Sequence, residues 1–170
     1  IMPMIIPFCS VPASVYADAI NFAVTNNADI LSNSWGYGSS NPNLQPVIVS
    51  AINNAISNNK LVVFAAGNTA NRVSGNNGFV SFPGNATIAD LITVGASDRN
   101  NNQANYSPNG QTLEIVAPSH TAYNSQISGE SFNIWTIDSP NTNQGYNSWK
   151  DSWAVLPAVG ETLPSSGTNF

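Results

Sequence analysis

Leu61-Val62-Val63-Phe64-Ala65-Ala66-Gly67-Asn68 holds the residue types best suited to chemistry in this chain of 170 residues. The run is apolar and rich in β-branched side chains, the pattern of a strand buried on both faces. It stops on small residues, a glycine and an asparagine. Small residues at a strand's C-terminal end let another backbone approach closely, and the asparagine adds a neutral amide N–H donor. A fixed donor of this kind can stabilise an oxyanion as it develops in acyl transfer. The same residues also suit a strand that simply ends in an Asn turn. A second segment, Ser34-Trp35-Gly36, closes the strand before it. Extended backbone beside a glycine leaves N–H and C=O groups that can pair with a visiting peptide.

The elements that must position these segments follow from periodicity. Met2 to Phe8 reads as a strand, and Val11 to Asn27 as a helix with Val15, Ala19, Phe22 and Ala23 at helical spacing. Asp29 to Trp35 is a second strand. Pro46 to Asn58 is a second helix, with Val47, Ile48, Ala51, Ile52, Ala55 and Ile56 in one stripe and proline in its first turn. Leu61 to Ala65 and Leu91 to Ala96 are further strands, Leu113 to Ala117 a short one, and Asn133 to Ile137 another. Strands and helices alternating with connections this short imply a parallel sheet. In such a sheet ligands bind beyond the C-terminal ends of the strands, where both candidate segments lie. Thr69 to Asp90, with Asn77-Gly78 and Pro83-Gly84, reads as surface loops. From Asp138 onward the chain is rich in Pro, Gly, Ser, Thr and Asn, with Trp149 and Trp153 as anchors.

Composition narrows the partners. The length suits a single domain burying about 70% of its unfolded surface. Charged residues are 8% of the chain and the net charge is -5, with only four Lys and Arg. No basic run exists to neutralise phosphates, so nucleic acid is not expected as a partner. No run reaches membrane-spanning length, so no membrane partner is expected either. Sparse charge with abundant Asn suits a secreted or extracellular protein. Cys9 is the only cysteine, which excludes an internal disulfide and a thiolate metal cluster. The first eight residues lack the basic lead and cleavage site of a signal peptide.

In order and spacing the chain resembles the subtilisin-like serine peptidases (subtilases) from about Asp18 to about Ser119. The carrying segments are Ala28 to Gly38 (ADILSNSWGYG), Val62 to Asn68 (VVFAAGN) and the FPGN turn at Phe82 to Asn85. Leu91 to Asp98 (LITVGASD), Asn105 to Gly110 (NYSPNG) and Leu113 to Ser119 (LEIVAPS) continue the match. The resemblance implies an α/β fold: a parallel sheet with helices on both faces, part of a subtilisin-like fold. It implies that Asn68 is the oxyanion-hole asparagine. Ser34, Trp35 and Gly36 would form the strand that pairs with the substrate backbone, Trp35 also walling a specificity pocket. Ala66 and Gly67 would line the floor of the pocket for the residue before the scissile bond. The implied activity is that of a serine endopeptidase acting on polypeptides.

Three catalytic motifs of that family are missing. No aspartate here is followed by Ser/Thr-Gly; His120 is followed by Thr121 and Ala122 and not by Gly-Thr; Gly167-Thr168 is followed by Asn169 where the serine belongs. The expectation is therefore that residues 1–170 are one truncated catalytic-domain segment, with 138–170 a long loop leading toward an absent serine helix. Such a segment is inactive alone, and the missing parts of its own domain become partners. A non-catalytic peptide-binding or structural module on the same scaffold is the alternative. An unrelated doubly wound ligand-binding domain would need a Gly-rich loop after the first strand, which Pro7-Phe8-Cys9-Ser10 is not. His120 with Ser119, Ser125, Ser128 or Ser131 has no carboxylate placed to orient it, so it reads as a solvated loop residue. No cofactor is expected; calcium could sit at Asp98 with carbonyls of Phe82 to Thr87, although one carboxylate is few for that ion.

Overall fold

A computed structural model describes residues 1–4, 11–71, 74–98 and 101–119. Its elements run α1 (Ala13–Thr25), β1 (Ile30–Asn33), α2 (Pro46–Ser57), β2 (Leu61–Ala65), β3 (Leu91–Ser97) and β4 (Ile115–Pro118). The expected strands at Met2 to Phe8 and Asn133 to Ile137, together with Cys9, His120 and the stretch from Asp138, lie wholly or mainly outside the described residues.

All four strands pair in parallel in the order β1-β2-β3-β4. Leu31 faces Val62, Val62 faces Leu91, and Phe64 faces Thr93 across the ladder. These residues are buried, whereas the alternate residues Val63, Ile92 and Val94 are only partly covered. The apolar run of β2 is thus fully enclosed on one face only. Both helices join the cluster formed by Leu31, Val62, Phe64 and Leu91. Any helix on the second face falls outside the described residues.

Both helices stop by the same device. Asn27 and Asn59 each take φ 58°, the left-handed conformation that asparagine tolerates better than most residues. Asn27 N–H then donates to Val24 O and Ala28 N–H to Ala23 O. Asn59 N–H donates to Ile56 O and Lys60 N–H to Ala55 O. These bonds satisfy the last carbonyls of each helix and aim the chain directly into β1 and β2.

Ile48, Ala51, Ile52 and Ala55 form the buried stripe of α2 at the expected spacing, while Val47 at its margin is exposed. On α1 the buried residues are Ala17, Ile20 and Ala23, and Phe22 is exposed. That helix carries two apolar stripes, and the one with the small residues faces α2, where they permit close approach. The connection from β2 to β3 also differs from a surface loop. Val80, Ser81, Phe82 and Ala86 within it are buried, and Phe82 belongs to the core.

Ile52 is fully buried whereas Val47 is 43% exposed, so the two should respond differently to truncation. Ile52→Ala should destabilise by about 2–5 kcal/mol in urea unfolding, and Val47→Ala by less than about 0.5 kcal/mol. Equal losses would contradict this orientation of α2.

Candidate active site

The β-strands end where the candidate residues begin. Beyond β1, Ser34, Trp35 and Gly36 carry the chain on outside any helix or strand, and none makes a backbone–backbone hydrogen bond among the described residues. Ser34 and Gly36 are exposed. Unpaired backbone N–H and C=O groups are satisfied by water or by an added strand. The segment is held at its far end, where Tyr37 N–H donates to Phe82 O at 2.7 Å and Phe82 N–H to Ser39 O at 3.0 Å. Gly36 is required there, because a Cβ would lie 2.8 Å from Phe82 O.

Trp35 is fixed from three sides. Its ring centroid is 4.6 Å from that of Tyr16 on α1 and 5.0 Å from Phe64 of β2, the latter edge-on. Its indole N–H donates to Asn33 Oδ1 at 3.1 Å. Asn33 Nδ2 in turn donates to Leu31 O and Val63 O. Tyr37 extends the aromatic group, 5.9 Å from both Tyr16 and Phe82. Burial, and then the neighbouring Tyr16, raise the Tyr37 phenol above its ordinary 10.0.

Beyond β2, Ala66 is buried, its N–H donating to Val94 O and its carbonyl accepting from Ser81 N–H. Gly67 then takes φ 90°, where a Cβ would lie 2.4 Å from Ser81 Oγ. Asn68 follows, half-buried. An open groove brings the two strand ends together: Ser34, Trp35, Gly36, Gly67 and Asn68 all line it, with Tyr37 and Ser81. Ala66 does not line it, and supports Gly67 from behind. Among the described residues, Asp29, directly before β1, is the one carboxylate side chain lining the groove, and no Lys, Arg or His side chain lines it.

The calcium position does not fit its residues. Asp98 Oδ1 accepts from Asn102 N–H at 2.9 Å, closing a local turn. Gly84 O accepts from Thr93 Oγ1 at 2.8 Å, so the 82–87 loop crosses β3 near Thr93. Asp98 lies roughly 15 Å further along at the strand's rise per residue. Among the described residues, no three of His, Cys, Asp and Glu cluster in a way that could hold a metal ion.

Sequence reasoning missed Ser81 and Tyr16. The sequence offered one signal for Ser81, its place directly before the Phe82-Pro83-Gly84-Asn85 turn. For Tyr16 there was none, since its ring contact joins two elements through the fold.

Comparison with known proteins follows from this geometry. The Subtilase family model matches residues 7–159. Subtilisin Savinase from Lederbergia lenta is 36% identical over 105 residues, 62% of this chain and 35% of the relative. Subtilisin DY from Bacillus licheniformis is 31% identical over 161 residues, covering 92% of this chain and 56% of the relative. The matched region thus spans about a third to just over half of these relatives' length. Among solved structures, Sphericase superposes with a TM-score of 0.51 at 27% identity, covering 65% of this chain and 39% of that one. The prenylagaramide maturation protease gives 0.55 at 24% identity, covering 65% and 38%, a likeness of fold alone.

Gly67→Ala should cost more than about 1 kcal/mol, the price of an L-residue in left-handed conformation plus the clash. Adding Ser81→Gly removes the clashing atoms and should restore part of it in a double-mutant cycle; strict additivity would rule the contact out. A second expectation concerns alkaline pH. Burial raises the Tyr106 phenol too, partly offset by its hydrogen bond with Ser119. The fold therefore holds both phenolic protons more tightly than the unfolded chain does. Their contribution to stability is complete below pH 10.0 and is lost as pH rises through the raised values. Urea midpoints should fall above pH 10 less steeply in Tyr37→Phe than in wild type.

Proposed function

The chain belongs to the subtilase family, and we propose that the complete protein is a serine endopeptidase that hydrolyses peptide bonds through an acyl-enzyme. The observation that carries this reading is one groove holding both an unpaired segment, Ser34 to Gly36, and the amide of Asn68. A substrate strand pairs with the free backbone groups of Ser34 and Gly36, which sets the scissile carbonyl at the end of β2. A serine oxygen adds to the carbonyl carbon, and charge grows on the carbonyl oxygen. Asn68 Nδ2 donates to that oxygen. Collapse of the adduct expels the amine, and water then releases the acyl group. The serine, its histidine and the aspartate belong to chain outside these 170 residues.

Trp35, clamped between Tyr16 and Phe64, forms a fixed wall for a substrate side chain, and Gly67 a floor that a peptide can approach closely. No described helix is long and apolar enough to cross a membrane. Sparse charge and abundant Asn support an extracellular setting, with polypeptides as substrates.

Asn68→Ala in the complete protein should lower kcat about 10²–10³-fold, the magnitude seen when a subtilisin loses its oxyanion-hole donor. KM should change little, because the donor acts on charge present only in the transition state. Equal losses in kcat and in substrate binding would remove Asn68 from this role. A complete protein that binds peptides without cleaving them would be a binding module on the same scaffold.

A further inference from the structure

Two Asn-Gly pairs lie side by side in the fold, Asn77-Gly78 and Asn109-Gly110, joined where Asn109 N–H donates to Asn77 O at 3.2 Å. Both asparagines are exposed. Their glycines differ. Gly78 N–H donates to Asn76 Oδ1 at 2.9 Å, and the next N–H, that of Phe79, donates to Thr69 Oγ1 at 2.8 Å. Gly78 also takes φ 65° and packs on the main chain of Thr69 and Ala70, where a Cβ would lie 2.5 Å from Ala70 N. Gly110 N–H, by contrast, has no hydrogen-bond partner among the described residues. The Gly110 carbonyl accepts from Leu113 N–H at 3.3 Å. Its α-carbon faces a side chain, since a Cβ there would meet Val80 Cγ2 at 2.5 Å.

We propose that Asn109 is a modification site that converts spontaneously to aspartate and isoaspartate through a cyclic imide, while the Gly78–Asn76 hydrogen bond holds Asn77 back. In the ring closure Gly110 N gives its proton to solvent hydroxide and bonds to Asn109 Cγ. The Cγ–Nδ2 bond then breaks and ammonia leaves. Water opens the imide at either carbonyl, giving aspartate, or isoaspartate with the main chain routed through the side chain. Glycine permits the closure because no Cβ crowds the attacking nitrogen or limits its rotation. The same attack at Gly78 must first break the bond to Asn76 Oδ1, and the nitrogen anion would face that oxygen's lone pairs. The product matters to the fold. Isoaspartate inserts a methylene between the Asn109 N–H, bonded to Asn77 O, and Gly110, which packs on Val80. Val80 is buried and directly precedes Ser81, whose N–H donates to Ala66 O at the end of β2. Conversion at 109 therefore loosens a contact on which the groove's floor depends.

The test incubates the complete protein at mildly alkaline pH with a serine-peptidase inhibitor present, folded and in urea, and follows both sites by peptide mapping. The ratio of conversion at 109 to conversion at 77 should be about 2–10-fold higher in the folded protein than in urea, the range that one hydrogen bond commands. Asn76→Ala should raise conversion at 77 in the folded protein by a similar factor and leave 109 unchanged. The urea midpoint of aged wild type should fall as isoaspartate accumulates, whereas Asn109→Ser, which cannot form the imide, should hold its midpoint over the same incubation. No conversion at 109 in the folded protein overturns the proposal, and so does a ratio that folding leaves equal or lowers. Conversion at 77 that ignores Asn76→Ala overturns the protection assigned to that bond. A midpoint that falls equally in Asn109→Ser overturns the consequence for the fold.

Discussion

The segment from Ser81 to Gly84 crosses the ends of β1 and β2, and nearly every feature of the groove depends on how closely it does so. Phe82 is fully buried, its carbonyl accepts from Tyr37 N–H, and its own N–H donates to Ser39 O. Ser81 N–H meanwhile donates to Ala66 O. One short stretch is thus bonded to the continuations of two neighbouring strands. Glycine stands at each contact: Gly36 against Phe82 O, Gly67 against Ser81, and Gly84 against both Ala65 O and Thr93. A Cβ at any of them would push the crossing segment away from the strands. The groove is a consequence of this junction, because strand ends held at this spacing leave Ser34 to Gly36 unpaired beside Asn68.

Much of this was legible in the sequence because it is local. The stripe of Ile48, Ala51, Ile52 and Ala55 fixes α2 within its own turns, and the apolar run at Leu61 admits little but a strand. The strand ends at Gly36 and Gly67 were marked by residue type, so the neighbourhood of Ser34, Trp35, Gly36, Gly67 and Asn68 followed once a parallel sheet was inferred. What failed was what only packing decides. Two apolar stripes on α1 satisfy the same period, and the choice between them comes from the small residues that meet α2. Phe82 sits among turn residues, yet it fills the core, because a turn signal describes backbone conformation and says nothing about burial.

Asp29 apart, the described side chains lining the groove are neutral. A cation in the groove would stabilise an oxyanion, but it would also attract carboxylates indiscriminately and hold water. Fixed neutral donors keep their orientation, and in a partly desolvated cleft they gain strength. The aromatic group of Tyr16, Trp35, Tyr37 and Phe82 supplies the low-polarity surroundings. Burial, and then Tyr16, raise the Tyr37 phenol above its ordinary range.

Asparagine serves several separable purposes here, and the differences bear on Asn68. Every described non-glycine residue with positive φ is Asn or Asp: Asn27, Asn59, Asp90 and Asn101. At those positions the residue type is explained by backbone conformation. Asn33 has a different task, since its amide ties Leu31 and Val63 to the Trp35 indole. Asn68 stands at a turn as well, but the left-handed residue of that turn is Gly67, with φ 90°. A glycine already supplies the conformation for which an Asn turn would be chosen. Asn68 lines the groove beside the unpaired Ser34 to Gly36 segment, and the proposed role as a donor to a bound peptide rests on that placement.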